Sequence, residues 1–216
     1  MKTHLYAFAL SCGLATTAQA QMAPEFAVGA GFSTLGATVE FSSRLTEQFG
    51  LRVPVGYGSF SRGETVDGTP LDGDLRLGGV ALLGDYYPGF GPMRVSAGLF
   101  LSNYRATGDA SGTITVQGNV YSGAVHADVR PERDISPMLA LGFETGRGGP
   151  GWSLSGDAGA IFVGGFRTRV SGWQNGGPAF QPAFEEDLAG LRQSIEDDVS
   201  DWNVLPYLKL AVTYRF

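Results

Sequence analysis

The C-terminal segment of the chain constrains its fold more tightly than any other part. Residues 202–216 read WNVLPYLKLAVTYRF, and every second residue counted back from the end is apolar or aromatic, whereas most of the residues between them are polar or small. Successive side chains of a strand point to opposite faces, so this pattern predicts a strand with one apolar and one polar face. The alternation continues for about seven cycles, which is longer than a typical soluble strand.

Aromatic residues stand at both ends of this predicted strand. Trp202 lies at one end, and Tyr214 and Phe216 lie at the other. Such aromatic residues are enriched where a membrane-spanning segment meets the two membrane–water interfaces. A terminal Phe preceded by Tyr214, Val212 and Leu210 at alternate positions resembles the closing strand of bacterial outer-membrane β-barrels. That resemblance implies that the ending is the signal read by the barrel-assembly machinery, a partner during biogenesis.

The N-terminus has the features of a secretory signal peptide. Lys2 and His4 precede a short apolar run at residues 5–14, and Ala18-Gln19-Ala20 forms an A-x-A cleavage signal. The sequence therefore predicts a signal peptide at residues 1–20 and one mature domain at residues 21–216. A lipoprotein anchored through Cys12 is disfavoured because no Leu stands three places before that cysteine.

Composition excludes several classes of protein. The formal net charge of −6 argues against nucleic acid as a partner, because phosphate binding requires a basic surface. No apolar run after residue 20 reaches the length of about 18 residues expected of a transmembrane helix. Glycine, at 33 of 216 residues, is abundant without a repeat, which is typical of tight turns and curved strands. These features favour an exported all-β domain.

Alternating segments along the chain predict an eight-stranded antiparallel transmembrane β-barrel. The predicted strands are residues 26–32, 35–41, 49–61, 75–87, 93–105, 135–145, 152–166 and 202–216. The connections after strands two, four and six are short, and those after strands three, five and seven are long. Short periplasmic turns and long outer loops are typical of outer-membrane barrels. An even strand number places both termini in the periplasm, and residues 113–116 and 119–122 are expected to form a small hairpin in one outer loop.

The polar face of the predicted strands carries four acidic and four basic residues, which would point into the lumen. They are Glu40, Arg52, Asp85, Arg94, Glu144, Asp157, Lys209 and Arg215. Turn geometry predicts that Glu40 faces Arg52 and that Asp85 faces Arg94 across neighbouring strands. The same geometry sets Glu144 beside Asp157, with Lys209 as a bridging base.

An eight-stranded barrel is only wide enough to be filled by side chains. The balanced charges therefore predict an ion-pair network that plugs the lumen. Solvated charges near the strand ends, held in no network, are the alternative. The network is favoured because a buried charge without a partner is costly.

The last outer loop contains a predicted amphipathic helix. Its apolar residues recur at helical spacing, at Phe184, Leu188, Leu191, Ile195 and Trp202. The acidic residues of its other face are Glu185, Glu186, Asp187, Glu196, Asp197, Asp198 and Asp201. One interpretation is a divalent-cation site that bridges to lipopolysaccharide phosphates or gates the lumen. The other, favoured because the ligand spacing of an EF-hand is absent, is a solvated lid that packs its apolar stripe on the barrel mouth.

The complete pattern resembles the small surface barrels of the OmpA-like and OmpW-like class. The favoured function is an integral outer-membrane structural or surface protein with a plugged lumen, monomeric, with outer-membrane lipid and lipopolysaccharide as partners. A narrow channel for small or apolar solutes is a second hypothesis. A soluble lipocalin-like barrel with its faces reversed is disfavoured because the charges share one face with the small residues.

A lipid A-modifying enzyme would need His126, the one histidine after residue 20, beside a nucleophile or carboxylate. The His-x-Ser arrangement of barrel lipid A deacylases is absent, because position 128 is Asp. Ser122 is close in sequence, but its spacing from His126 is unspecific. With one histidine and no cysteine in that part of the chain, we predict no metal site, no cofactor and no enzymatic activity.

Overall fold

The computed structural model describes residues 25–66, 69–89, 91–146 and 149–216. The predicted signal peptide lies outside the described residues. The described elements, in chain order, are β1 (Glu25–Ser33), β2 (Gly36–Arg44), β3 (Phe49–Val66), β4 (Thr69–Tyr86), β5 (Met93–Ser102), β6 (Arg105–Val116), β7 (Asn119–Pro131), β8 (Ile135–Glu144), β9 (Gly151–Ile161), β10 (Phe166–Gln174), a 3-10 turn (Pro178–Phe180), α1 (Gln181–Val199) and β11 (Leu205–Arg215). No helix of the described part is long and apolar enough to cross a membrane.

Eight of the strands close into an antiparallel ring. The order around the ring is β1–β2–β3–β4–β5–β8–β9–β11, and β11 pairs with β1. These are the eight strands that the alternation predicts, so the barrel and its strand number are confirmed. β1 starts and β11 ends at the same end of the barrel, where Phe216 N donates to Phe26 O over 3.0 Å. We call this the termini end and the opposite one the loop end.

The faces of the ring strands alternate as predicted. In β8 and β11, exposed apolar residues alternate with buried residues that point into the lumen. On β11 the outward residues Leu208, Leu210 and Val212 are 56%, 59% and 50% exposed. Large apolar side chains in such numbers on an outer surface need an apolar medium around them. The ring therefore carries the lipid-facing belt of a transmembrane barrel.

The other three strands form a sheet beyond the loop end, which we call the outer sheet. Residues 71–76 of β4 leave the ring and pair with β6, β6 pairs with β7, and β7 pairs with β10. The small hairpin predicted at residues 113–116 and 119–122 is the tip of the longer β6–β7 hairpin. β10 lies in a segment predicted as a connection, because its polar sequence, FRTRVSGWQ, lacks the apolar alternation of a lipid-facing strand.

Several strand ends differ from the predicted boundaries. The fifth strand stops at Ser102, before a turn in which Asn103 N donates to Gly78 O over 3.0 Å. The seventh stops at Ile161, because the chain turns at Gly164 and Gly165, whose positive φ angles of 78° and 118° suit glycine. The closing strand begins at Leu205 instead of residue 202. The first two strands have nine residues each, two more than predicted.

Pro54 lies in the middle of a ring strand and points into the lumen. Its missing N–H coincides with a gap in the pairing of β3 with β4, where the register passes from Arg52–Leu83 to Val55–Val80. The local interruption explains how the ring tolerates this proline.

Close packing of β1 against β11 requires glycine at position 31. A Cβ atom there would lie 2.0 Å from Leu210 O, whereas a Cβ atom at Gly108 of β6 would meet nothing within 4 Å. We expect Gly31→Ala to lower the free energy of unfolding by about 1–3 kcal/mol through overpacking, and Gly108→Ala to leave it unchanged or raise it slightly. Urea unfolding of the refolded chain, followed by tryptophan fluorescence, measures both; equal effects would contradict the packing argument.

Candidate functional site

The lumen at the termini end holds a cluster of charged side chains, which we call the charged layer. It consists of Glu40, Arg52, Asp85, Arg94, Glu144, Asp157, Lys209 and Arg215, and each of these residues is at most 6% exposed. The structure thus brings all eight predicted lumen charges together. They come from seven of the eight ring strands, because each strand sends alternate residues inward.

Arg52 lies at the centre of the charged layer. Its Nε donates to Asp85 Oδ2 over 2.9 Å, and its Nη1 donates to Glu40 Oε2 over 3.0 Å and to Asp157 Oδ2 over 2.8 Å. Nη2 also donates to Ser96 Oγ over 2.9 Å, and that hydroxyl donates to Asp85 Oδ1 over 2.5 Å. One guanidinium group therefore ties together three carboxylates that come from three different strands.

Asp157 is the complementary centre on the acidic side. Arg94 Nη2 donates to both of its oxygens over 2.9 Å, and Lys209 Nζ lies 2.9 Å from its Oδ2. Together with Arg52, these contacts surround one carboxylate with three cations. Charge-assisted bonds of this kind are stronger than neutral hydrogen bonds.

The remaining members extend the network to both sides. Lys209 Nζ donates to Glu40, and Arg94 Nη1 donates to Glu144 Oε2 over 3.2 Å. Arg215 Nη2 donates to Glu144 Oε1 over 2.5 Å, and its Nη1 donates to the backbone O of Gly146 over 3.2 Å. Every charge of the layer thus has an opposite charge within ion-pair distance.

The observed pairing differs in detail from the prediction. Glu40 lies opposite Pro54 and meets Arg52 diagonally, and Asp85 lies opposite Ser96 and contacts Arg52 instead of Arg94.

The bridge between the two acids of β8 and β9 also differs. Glu144 and Asp157 are joined by Arg94 rather than by Lys209. Turn geometry relates residues of neighbouring strands only, whereas arginine side chains in a narrow lumen reach across it to carboxylates on other strands.

A second layer of the lumen lies on the loop side of the charges, and we call it the apolar layer. Its members are Leu35, Ala81, Leu83, Phe100, Met138, Ala140, Ile161, Val163, Leu205 and Tyr207, each at most 8% exposed. Leu35 enters it from the two-residue turn between β1 and β2. This layer was not predicted from the sequence. The available signal was the inward parity of Leu83, Phe100 and Met138, which makes segments such as VALLG apolar on both faces.

Helix α1 contains the predicted apolar stripe and packs on the outer sheet. Phe184 is fully buried against Ile114, Val116 and Val125, and its ring lies 4.9 Å from that of Tyr121. The stripe therefore covers the outer sheet, not the rim of the barrel mouth. Trp202 lies beyond the helix and is 57% exposed.

The acidic residues of the segment are placed as follows: Glu185, Glu186, Asp187, Glu196, Asp197 and Asp198 lie in α1, and Asp201 lies just after it. In the described part of the chain, no three acidic or histidine side chains converge on a position that could hold a metal ion. Asp187 instead accepts hydrogen bonds from Tyr121 Oη over 2.6 Å and Asn119 Nδ2 over 2.8 Å, which lower the pKa of its carboxyl.

His126 lies on the outer sheet, on the face opposite α1. Its Nδ1 lies 2.7 Å from Asp109 Oδ1, and Ser171 is its register neighbour on β10. Among the described residues, no serine hydroxyl bonds to the imidazole, so the His–Asp pair has no nucleophile in contact. Ser122 lies four residue pairs away along β7, opposite Thr113.

The four residues of the predicted assembly ending face outward on β11 and beyond it. Leu210, Val212 and Phe216 are exposed, and Tyr214 lies between the rings of Trp152 and Phe216 at 5.0 and 5.2 Å. The aromatic group marks the termini end of the belt.

Comparisons with solved structures find the same fold in two proteins, and a third protein is less similar. The outer-membrane protein CarO of Acinetobacter baumannii shares 20% sequence identity with the chain, at a TM-score of 0.56, covering 92% of this chain and all of CarO. CarO2 of the same organism shares 18% sequence identity with the chain, at a TM-score of 0.55, covering 91% of this chain and all of CarO2. A major outer membrane protein of Thermus thermophilus shares 17% sequence identity with the chain, at a TM-score of 0.48, covering 90% of this chain and all of that protein.

No protein-family model matches the chain, and no curated protein matches it. The fold shared with CarO and the lipid-facing belt nevertheless define the class. The chain has the fold of the small β-barrels of the bacterial outer membrane.

Removing the carboxylate of Asp157 should destabilise the barrel strongly. In Asp157→Asn, three buried cations lose a shared partner, so we expect the free energy of unfolding to fall by about 3–5 kcal/mol. Adding Lys209→Met should recover part of this loss, because it removes one unpaired charge. The control is Glu196→Gln, which breaks the exposed pair of α1 with Arg192 and should cost less than about 0.5 kcal/mol. Urea unfolding in lipid vesicles measures the effects; similar values for Asp157→Asn and Glu196→Gln would contradict the network.

Docking of α1 should weaken in acid. Because the pKa of Asp187 is lowered when α1 is docked, its carboxylate stabilises docking above the ordinary carboxyl pKa of about 4, and this stabilisation is lost as the pH falls below that value. A nitroxide attached at Ala189→Cys, in the chain without residues 1–20 and hence without Cys12, should become more mobile in that range. The same label in an Asp187→Asn background should lack this step; an identical transition in both proteins would assign it to other acids.

Proposed function

We propose that the chain is an integral outer-membrane protein with a closed lumen and serves a structural or surface role instead of conducting solutes. The observation that supports this function is the presence of two buried layers in series across one narrow lumen. An ion would have to pass both, and the two layers oppose it for different physical reasons.

The charged layer opposes passage because its members already satisfy one another. A passing ion would have to break contacts such as those of Arg52 and Asp157, each at most 5% exposed, and leave a buried charge without its partner. Breaking a buried pair by removing one member costs several kcal/mol. A balanced layer also gives no net attraction to cations or anions.

The apolar layer opposes passage because it offers an ion nothing in exchange for its hydration shell. Leu83, Phe100 and Met138 are fully buried at the centre of the barrel. Transfer of an unpaired charge into such surroundings is very unfavourable, and apolar constrictions close pores by excluding water. The narrow-channel alternative requires both layers to rearrange together.

The parts of the protein outside the lumen support a surface role. The outer sheet and α1 form an ordered structure beyond the loop end, which is the end that the strand parity assigns to the cell exterior. Outer-membrane lipid and lipopolysaccharide are the proposed surroundings of the belt. The outward ending at Phe216 is proposed as the signal for the barrel-assembly machinery.

Planar-bilayer recording of the refolded chain without residues 1–20 tests the closed lumen. We expect the wild type to be silent. Arg94→Ala and Phe100→Ala each remove part of one layer and should conduct rarely or not at all, whereas Arg94→Ala/Phe100→Ala should show frequent openings. Arg62→Ala, an exposed arginine of β3 outside the lumen, is the control and should stay silent.

Two results would overturn the proposal. A steady conductance in the wild type would assign the protein to the channels. A double variant that folds, as judged by its circular dichroism, and yet stays as silent as the wild type would show that these two layers are not what closes the lumen.

A further inference from the structure

The outward face of the outer sheet carries a row of arginines across four adjacent strands. Arg76 of β4 pairs in register with Arg105 of β6, and Arg130 of β7 pairs with Arg167 of β10. The β6–β7 register continues the row by placing position 105 opposite position 130. Like charges directly opposite one another are destabilising, so an uninterrupted row of four requires an explanation. We call it the arginine row.

The arginine row lies on the same side of the sheet as the lipid-facing belt. Arg76 shares its strand parity with Val80 and Leu82, which face the lipid. The opposite face of the outer sheet is the one that packs against α1, through Ala110 and Val125. The guanidinium groups thus point outward, away from the helix and the lumen.

The height of the arginine row corresponds to the lipid headgroups. Val80, Leu101 and Ile135 are register partners, each exposed on the lipid side, and on that face they are the last apolar residues of their strands at the loop end. Arg76 lies four residues beyond Val80 toward the loop end, a distance of about 13 Å along a strand. The distance along the membrane normal is shorter because barrel strands are tilted. Long arginine side chains reach the headgroup layer from such positions.

A small pocket adjoins the arginine row. Arg76, Arg105, Thr107 and His126 line a cavity of about 200 Å³. Two guanidinium groups and a hydroxyl can all donate hydrogen bonds to one anion, and guanidinium groups match phosphate oxygens in bidentate geometry. The imidazole directs Nδ1 toward Asp109, which leaves its other nitrogen available.

The positive charge of the row is only partly neutralised. Arg105 and Arg130 share the single buried carboxylate of Asp128, and Arg167 Nη2 lies 3.8 Å from the exposed Asp134 Oδ1. No carboxylate of the described residues lies within ion-pair distance of Arg76 or Arg169, the latter on the same face. Hydrogen-bond donors therefore remain available next to the pocket.

We propose that the arginine row and its pocket bind the phosphate groups of lipopolysaccharide in the outer leaflet. The proposal rests on the placement of the loop end at the cell exterior and does not depend on the closed lumen. The phosphorylated headgroup fits because it combines the required charge with the required height, directly above the acyl chains that cover the belt. The repulsion among the four arginines is offset when the phosphates are bound.

Binding of purified lipopolysaccharide to the refolded protein in a zwitterionic detergent tests the proposal. We expect saturable binding that weakens with salt. Arg76→Gln should raise Kd about tenfold, as expected for the loss of one charge-assisted contact of about 1.4 kcal/mol. Arg62→Gln makes the same change in net charge on the far part of β3, and its Kd should stay within twofold of the wild-type value. Circular dichroism confirms that each variant is folded.

Lipopolysaccharide from which the phosphates have been removed distinguishes headgroup recognition from general lipid binding. We expect this lipid to bind wild type and Arg76→Gln equally and weakly. Equal affinity of the wild type for both lipids would overturn the proposal, and so would equal losses in Arg76→Gln and Arg62→Gln. Since none of these measurements involves conductance, a conducting wild type would overturn the closed lumen and leave this result unaffected.

Discussion

The contacts of Asp157 with Arg52, Arg94 and Lys209 are the interaction on which the rest of the barrel depends. They join side chains from four ring strands across the lumen, whereas backbone pairing joins only neighbouring strands. A ring of strands held by its ladder alone could shift in register, but a shift by one residue would turn these charges toward lipid. The buried charges therefore specify register as well as filling space. Their desolvation is the cost of that specificity, and the mutual contacts of four acids and four bases offset it.

The two layers of the lumen divide the work of holding the barrel closed. Inward apolar side chains at the loop side pack as in the core of a soluble protein, and inward charges at the termini side are matched by one another. This division follows from sequence, since the charges occupy the strand parts nearest the termini and the apolar residues the parts nearest the loops. The outer sheet adds a third level. One of its faces is apolar and packs against α1, and the other carries arginines on the lipid side.

Sequence periodicity was sufficient for the ring and insufficient for what lies above it. β8 and β11 stand between lipid and lumen, and that contrast imposes the alternation from which they were predicted. β10 has no such contrast, because one of its faces packs against other protein and the other is a polar face that carries the exposed Arg167 and Arg169, so its sequence resembles a loop. The charged residues could be assigned to the lumen by parity alone, but their partners could not. Arg94 pairs with Asp157 and Glu144 because the width of the barrel and the shear of its strands bring these side chains together. Both quantities are properties of the closed ring and cannot be read from a single hairpin.

The short first hairpin has a consequence for the surrounding bilayer. β1 and β2 have nine residues each, and each presents four residues to lipid, whereas β5 and β8, which lie directly across the ring, each present five. One missing outward residue shortens the apolar wall by about 7 Å along the strand. A membrane of uniform thickness fits both sides only if the barrel axis tilts or the lipid beside the hairpin is compressed. The lipid-facing belt thus differs in height around the barrel. It is short at β1 and β2 and tall at β5 and β8, and the arginine row lies above the tall side.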